Sequence, residues 1–336
     1  MFVRFLRLFC VARARSALCV ERGAGVWLRE FFMRAESPQA GVAADAGGKL
    51  RIFLESIKFE HTVFALPFAY LGVALAARAN HGWPGIGPII WVTLAMAGAR
   101  TVAMAVNRLA DASMDALNPR TANRALPQRL LKPAEMAFFA LVAGALMVFS
   151  AAQLNPLCLA LSPVAVIFLV GYSYTKRFTW LCHFVLGLTD GIAPIAGWLA
   201  INPTISVANL VPPLLLGLMV AAWVGGFDLI YACQDIDFDR AHGLYSIPSR
   251  FGPQRALQIS EIMHGASVGL LAAVGGMLGL AWPFWIAVGM AAWLLIWEHR
   301  LVHPEDFSRL DVAFFNMNGY IAVSVFVFSL LAVVIG

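Results

Sequence analysis

The chain has 336 residues, 60% of them apolar and 13% charged, with a mean hydropathy of +0.76. Soluble domains run at about 45–50% apolar and about 25% charged, so this balance excludes an ordinary soluble domain and implies a polytopic membrane protein. The net charge of +5 does not indicate a nucleic-acid binder, because the basic residues gather in short loops between apolar segments, the distribution that membrane topology imposes. Cys10, Cys19, Cys158, Cys182 and Cys233 are scattered without a CxxC pair, which argues against both a disulfide framework and a zinc site.

Residues 1–48 stand apart. Arg4, Arg7, Arg13 and Arg15 precede the first acid, Glu21, and arginine interrupts the apolar stretch too often for a span. An arginine-rich, acid-poor segment fits an organelle-targeting peptide. The plainer alternative, preferred because such compositional signals are weak, is a non-native extension upstream of an internal start at Met33. Either way the segment is expected to be poorly ordered, closing on the small residues of Asp45-Ala46-Gly47-Gly48 as a flexible linker to a membrane domain over 49–336.

A spanning helix needs about 20 mostly apolar residues. On that criterion the spans fall at 62–79, 86–108, 134–152, 155–173, 181–201, 209–233, 261–280, 283–298 and 313–335, an all-α polytopic bundle of about nine helices. The segments before the first span and after the even-numbered spans carry Lys and Arg, among them Lys58, Arg120, Arg124, Lys176, Arg177, Arg240 and Arg250. The connections after the odd-numbered spans, such as Asn202-Pro203-Thr204, carry none, with Arg78 the one exception nearby. The positive-inside rule therefore puts the N-terminus and the even-numbered connections in the cytoplasm.

Two of those cytoplasmic connections begin with acids. Asn107, Asp111 and Asp115 follow one another at four-residue spacing, as do Asp235 and Asp239. On a helix, carboxylates at i and i+4 stack on one face about 6 Å apart and can share a hard cation. A lone acid pair at a helix end is more often a solvated face. Two pairs, in order, on one side of the membrane and joined to apolar runs, read as a metal site. Asp237 falls off the second stripe and is expected to face solvent. Asp228 lies seven residues before Asp235, on the same helical face, where it could orient a ligand or pair with a base.

Apolar surroundings with acids at one edge suggest a greasy substrate with an anionic head. A prenyl diphosphate fits: it reacts by shedding diphosphate to leave an allylic cation, and a low-dielectric site makes that charge separation costly unless the leaving group is neutralised in place. Magnesium, held by one or two carboxylates while bridging phosphates, suits Asn107, Asp111, Asp115, Asp235 and Asp239, with the four acids as the catalytic set. Lys176 and Arg177, at the end of the fourth span, could grip the diphosphate or serve only as topological anchors, and Arg124 is a further candidate. Arg100 lies two turns before Asn107 and deeper in the membrane, where it suits an acceptor carboxylate. Asp190, near mid-membrane, reads first as an ion-pair partner of Arg100 and second as a base near the acceptor ring.

The stretch Asn107–Asp115 continuing through Asn118-Pro119-Arg120-Thr121-Ala122-Asn123-Arg124, the stretch Asp228–Asp239 followed by Gly243 and Ser246, and Tyr172-Ser173-Tyr174-Thr175-Lys176-Arg177 between them together resemble the UbiA family of intramembrane aromatic prenyltransferases, from about residue 50 to the end. Ile57-Lys58-Phe59-Glu60-His61, the Asn-Arg opening and Ser246-Ile247-Pro248-Ser249-Arg250 look most like its 4-hydroxybenzoate polyprenyltransferase-like branch, which includes the MqnP enzymes of the futalosine menaquinone route. The resemblance implies transfer of a polyprenyl group to a ring carbon of a hydroxylated aromatic acid, 4-hydroxybenzoate or 1,4-dihydroxy-6-naphthoate, in ubiquinone or menaquinone synthesis in a bacterial inner membrane. It also implies that Tyr172 joins Lys176 in binding diphosphate and that Arg100 holds the aromatic acid. Two positions depart from the pattern. Arg108 stands where many members have Asp, and Tyr245 stands where many have Lys. The rival readings are a cation- or proton-coupled transporter, whose coupling groups should cluster at the midplane, and haem farnesylation, which would need room for a macrocycle.

Overall fold

The structure, a computed structural model, describes residues 46–57, 62–80, 82–310 and 317–336. The targeting or upstream-extension reading of residues 1–45, and the element at Lys58–His61, lie outside the described residues. What is described divides into a short N-terminal helix, α1 (Ala46–Ser56), and a body from Ile57 onward. Helix α1 corrects the linker expectation, because Ala46, Gly47 and Gly48 form its first turn. An i, i+4 ion pair from Arg51 Nε to Glu55 Oε1, 2.8 Å, ties its second half.

Among the described residues of the body, every regular element is a helix. In chain order come α2 (Thr62–Ala79), α3 (Ile86–Leu117), α4 (Pro133–Leu154), α5 (Pro156–Thr175), α6 (Cys182–Ile201), α7 (Val207–Ala232), a 3-10 turn (Cys233–Asp235), α8 (Ile236–Ala241), α9 (Ile247–Phe251), α10 (Pro253–Met277), α11 (Trp282–Leu301) and α12 (Asn318–Ile335). Each span expected from the sequence overlaps one of the long helices over its described residues, the last of them, 313–335, from residue 318 onward. Seven of them are long and apolar enough to cross a membrane: α3, α4, α5, α6, α7 with its continuation to Ala241, α10 and α12. In α2 the apolar stretch Leu66–Ala79 is described. Helix α11 carries Trp282, Trp285, Trp293 and Trp297 and ends on Glu298-His299-Arg300, which lowers its hydropathy.

Local chemistry sets the boundaries. Asn155 ends α4 and caps α5: its side chain accepts from Cys158 N at 2.9 Å and donates to Leu199 O at 2.9 Å, while Pro156 takes the first helical position, where no amide hydrogen is needed. Gly252, at φ +83°, turns α9 directly into α10.

Helix α6 packs between α2 and α7, and glycines let it come close. A side chain at Gly197 would meet the Ala69 carbonyl of α2, and one at Gly187 would meet the Ala221 carbonyl of α7. Around these contacts Phe68, Leu71, Trp198, Leu216, Trp223 and Phe284 form the largest buried cluster. Polar ties reinforce it where α7, α11 and α12 meet. Trp223 Nε1 donates to Asn318 Oδ1 at 2.8 Å, and Asn318 Nδ2 donates to the fully buried Glu298 at 3.4 Å. Helix α3 has 32 residues, about 48 Å at 1.5 Å per residue against a hydrocarbon core of about 30 Å. It therefore continues to Leu117, not residue 108, and its last turns extend the acid stripe beyond the apolar run.

Candidate active site

On α3 the stripe Asn107, Asp111, Asp115 forms as the spacing predicts. Asn107 Nδ2 donates to Asp111 Oδ2 at 3.2 Å, so the Asn107 side-chain oxygen remains as an acceptor. Asp111 and Asp115 are only 3% and 6% exposed, and an unpaired carboxylate so buried is costly. Each has therefore drawn in bases. Lys176 Nζ lies 2.7 Å from Asp111 Oδ2 and Arg177 Nη2 lies 3.1 Å from Oδ1, both reaching across from the end of α5. Arg124 Nη1 lies 2.6 Å from Asp115 Oδ1, while Asp115 Oδ2 is buried without a hydrogen-bond partner. Arg108, also buried, sits within electrostatic range of Asp111 and Asp115, so the departure at that position places a cation inside the acid site.

The second pair is built differently from expectation. The backbone leaves the α conformation at Cys233–Asp235, so Asp235 ends a 3-10 turn and Asp239 lies on the short α8; they do not share one unbroken α-helix face. Asp235 accepts two hydrogen bonds from Arg120, Nε to Oδ1 at 3.1 Å and Nη2 to Oδ2 at 2.6 Å, and a third from Asn118 Nδ2 at 3.3 Å. Burial weakens the Arg120 charge, but Tyr231 and Asp235 outweigh it and hold the guanidinium proton more firmly than usual. Asp239 accepts from Ser246 Oγ at 2.8 Å. Asp237 is exposed, as its spacing implied. Asp228 lies against a base, His183 at the start of α6, Nδ1 to Oδ2 at 2.7 Å.

Among the described residues no three Asp, Glu, His or Cys side chains converge closely enough to hold an ion, so the single five-residue metal set is not assembled as such. The reason is the one just given: with bases in place, Asp111, Asp115 and Asp235 are neutralised by Lys and Arg on their own sides of the site. The donor set nonetheless fits magnesium. Its atoms are hard oxygens, Asp115 Oδ2 is buried and unsatisfied, and one or two carboxylates suffice when phosphates complete the shell.

Beside the acids, along α3 and α5, lies a cavity of about 350 Å³ lined almost wholly by apolar side chains such as Met96, Met104, Phe168 and Leu186. Arg100 and Asp190 both border it, yet they make no ion pair within 4.0 Å, which corrects the pairing expected of them. They stand on different helices, α3 and α6, bordering one cavity, and Arg100 Nε is buried without a partner. Tyr172 also turns to this cavity. Its hydroxyl donates to Ala103 O at 3.1 Å, so the structure places it among the cavity groups and not on the acids with Lys176.

Four residues of the site carry little signal of their role in the sequence alone. In the sequence Arg120 reads as a loop charge within the stretch Asn118-Pro119-Arg120-Thr121 that carries the family resemblance, and its place five residues past Asp115 is the signal that marks it. Asn118 and Ser246 belong to the stretches that carry the family resemblance, but their residue types and spacing assign them no role. His183 offered one signal, a titratable group seven residues before Asp190 on the same helical face.

A family model described as the UbiA prenyltransferase family matches residues 65–320. A protein of Klebsiella pneumoniae subsp. pneumoniae named 4-hydroxybenzoate octaprenyltransferase is 30% identical over 249 residues, covering 72% of this chain and 83% of that one. Its namesake in Aeromonas salmonicida is 31% identical over 266 residues, covering 74% and 84%. Among solved structures, the apo UbiA homolog from Aeropyrum pernix K1 superposes with a TM-score of 0.73 at 34% identity, covering 80% of this chain and 96% of that one. A UbiA homolog from Archaeoglobus fulgidus bound to DMAPP and Mg2+ shares the fold with a TM-score of 0.66 at 18% identity, covering 84% and 99%.

Proposed function

The chain belongs to the UbiA prenyltransferase family, and from that premise we propose that it transfers a polyprenyl group from polyprenyl diphosphate to a ring carbon of a hydroxylated aromatic acid. The observation that carries the reading is the adjacency of two unlike compartments: a buried cluster of acids and bases, and an apolar cavity holding Arg100. The acceptor is 4-hydroxybenzoate or 1,4-dihydroxy-6-naphthoate, which places the reaction in ubiquinone or menaquinone synthesis; the names of the relatives support the first.

In this reading the diphosphate lies between the two acid-bearing segments. Magnesium, held through Asn107, Asp111 and Asp115 on one side and Asp235 and Asp239 on the other, supplies charge neutralisation of the leaving group when bound. Lys176, Arg177, Arg124 and Arg120 exchange carboxylate for phosphate oxygens, the arginines as planar forks and the lysine as a point charge. The isoprenoid tail lies along apolar helix faces, and Arg100 orients the acceptor carboxylate so that a ring carbon faces the allylic carbon. Tyr172, fixed on Ala103, walls the cavity where it meets the acid site. The protein resides in a bacterial inner membrane with the acid-bearing loops cytoplasmic.

The test is incubation of membranes containing the protein with labelled polyprenyl diphosphate, magnesium and each acceptor in turn. Labelled prenylated acid should form with one of them, and Asp111→Asn should cut the rate at least about a hundredfold, since lost charge stabilisation at a leaving group has that cost. Absence of product with both acceptors, from correctly inserted protein, would overturn the reading.

A further inference from the structure

The cavity beside the acids is poor in polar groups, and the few present divide sharply. Five lining residues carry side-chain nitrogen or oxygen: Arg100, Ser162, Tyr172, Thr189 and Asp190. Three of these have their hydroxyl protons committed to backbone carbonyls, Ser162 to Leu159 at 2.8 Å, Thr189 to Val185 at 2.8 Å and Tyr172 to Ala103 at 3.1 Å. That leaves one cation and one carboxylate. Both are charges inside the membrane-spanning region and both border the same space; Arg100 lies within electrostatic range of Asp190, but no nitrogen–oxygen pair between them comes within 4.0 Å. Opposite charges left apart in a low-dielectric site are costly, and a bridging ligand with complementary ends relieves both. Arg100 adds a buried Nε with no acceptor.

We propose that Asp190 determines acceptor specificity by accepting a hydrogen bond from a ring hydroxyl of the aromatic acid whose carboxylate Arg100 holds. This rests on the prenyltransferase reading for the identity of the acceptor and deepens it: the substrate class is an aromatic acid with a free hydroxyl at a position remote from the carboxylate, so that the ring spans the two charges. The hydroxyl proton stays shared between the ring oxygen and the Asp190 carboxylate, with no bond made or broken. The shared proton leaves more electron density on that oxygen and on the ring carbons ortho to it, which favours attack on an allylic cation. A site whose buried acceptor must be satisfied rejects analogues that lack the donor far more strongly than an apolar pocket rejects a change of size.

The experiment measures binding of 4-hydroxybenzoate, 1,4-dihydroxy-6-naphthoate and 4-methoxybenzoate to the full chain in nanodiscs by calorimetry, with prenyl diphosphate binding as the check that each variant is folded. Wild type should bind a hydroxylated acid at least about tenfold more tightly than the methoxy analogue. Asp190→Asn, whose amide both donates and accepts, should shrink that gap to about twofold or less while prenyl diphosphate affinity stays unchanged. A folded Asp190→Asn protein that keeps the full gap overturns the proposal. So does a wild type that binds methoxylated and hydroxylated acids equally, a result that needs no variant to fold. If the gap and its loss are both observed but no prenylated product forms in the transfer assay, the transfer reading fails and the assignment of Asp190 stands.

Discussion

Arg120 grips Asp235 with two parallel hydrogen bonds, at 3.1 and 2.6 Å, and turns its remaining Nη1 to the Tyr231 hydroxyl at 3.0 Å. One guanidinium thus joins the loop after α3 to the end of α7, the two segments that carry the acids. Because the contact uses both edges of a planar fork, a point charge cannot reproduce it. Arg120→Lys should therefore lower kcat/KM at least about tenfold despite conserving charge, and Arg120→Ala should lower it further. Steady-state kinetics on the two variants decides this. Full activity in Arg120→Lys would mean that only the charge matters.

Arg100 should act on one substrate alone. Arg100→Ala should raise the KM for the aromatic acid strongly, because losing one partner of a buried charge pair costs roughly 3–5 kcal/mol, whereas the KM for prenyl diphosphate should barely change. Arg100→Lys should recover part of the loss. If prenyl diphosphate binding weakens and the aromatic acid does not, Arg100 belongs to the phosphate site instead.

Gly187 tests whether the close approach of α6 to α7 positions the site. Any Cβ there meets the Ala221 carbonyl, so Gly187→Ala should force the helices apart and lower stability by about 1–3 kcal/mol. The same change at Gly265, where a Cβ meets nothing within 4 Å, should be neutral or mildly stabilising. Thermal unfolding in detergent of the two variants separates packing from propensity, and an equal response at both positions would contradict the argument.

Sidedness follows from the loop charges. In a cysteine-free background, Asn123→Cys and His242→Cys, both at exposed positions, should react with an impermeant thiol reagent only when the cytoplasmic face is accessible. Thr204→Cys, in a connection without Lys or Arg, should react from the outside. Labelling of Asn123→Cys from outside in intact cells would invert the topology.

The sequence by itself determined the membrane class, the approximate positions of the long helices, and the two acid motifs with Lys176 and Arg177 between them. These are local properties: an apolar run of about 20 residues is a span whatever packs against it, and four-residue spacing fixes Asn107, Asp111 and Asp115 on one face of whatever helix forms. What needed tertiary structure were partnerships across large sequence separations. Arg120 and Asp235 are both charged residues of connections between apolar helices, and nothing in their spacing says that they meet; the fold brings the loop after α3 against the end of α7. The 3-10 turn at Cys233–Asp235 lies in a sequence whose spacing reads as continuous helix. Arg100 and Asp190 show the same limit from the other side. Electrostatics alone recommends a contact ion pair, and the packing of α3, α5 and α6 around a cavity leaves them within electrostatic range but out of contact, because apolar side chains and close helix contacts fix where those backbones run before the two charges can choose a partner.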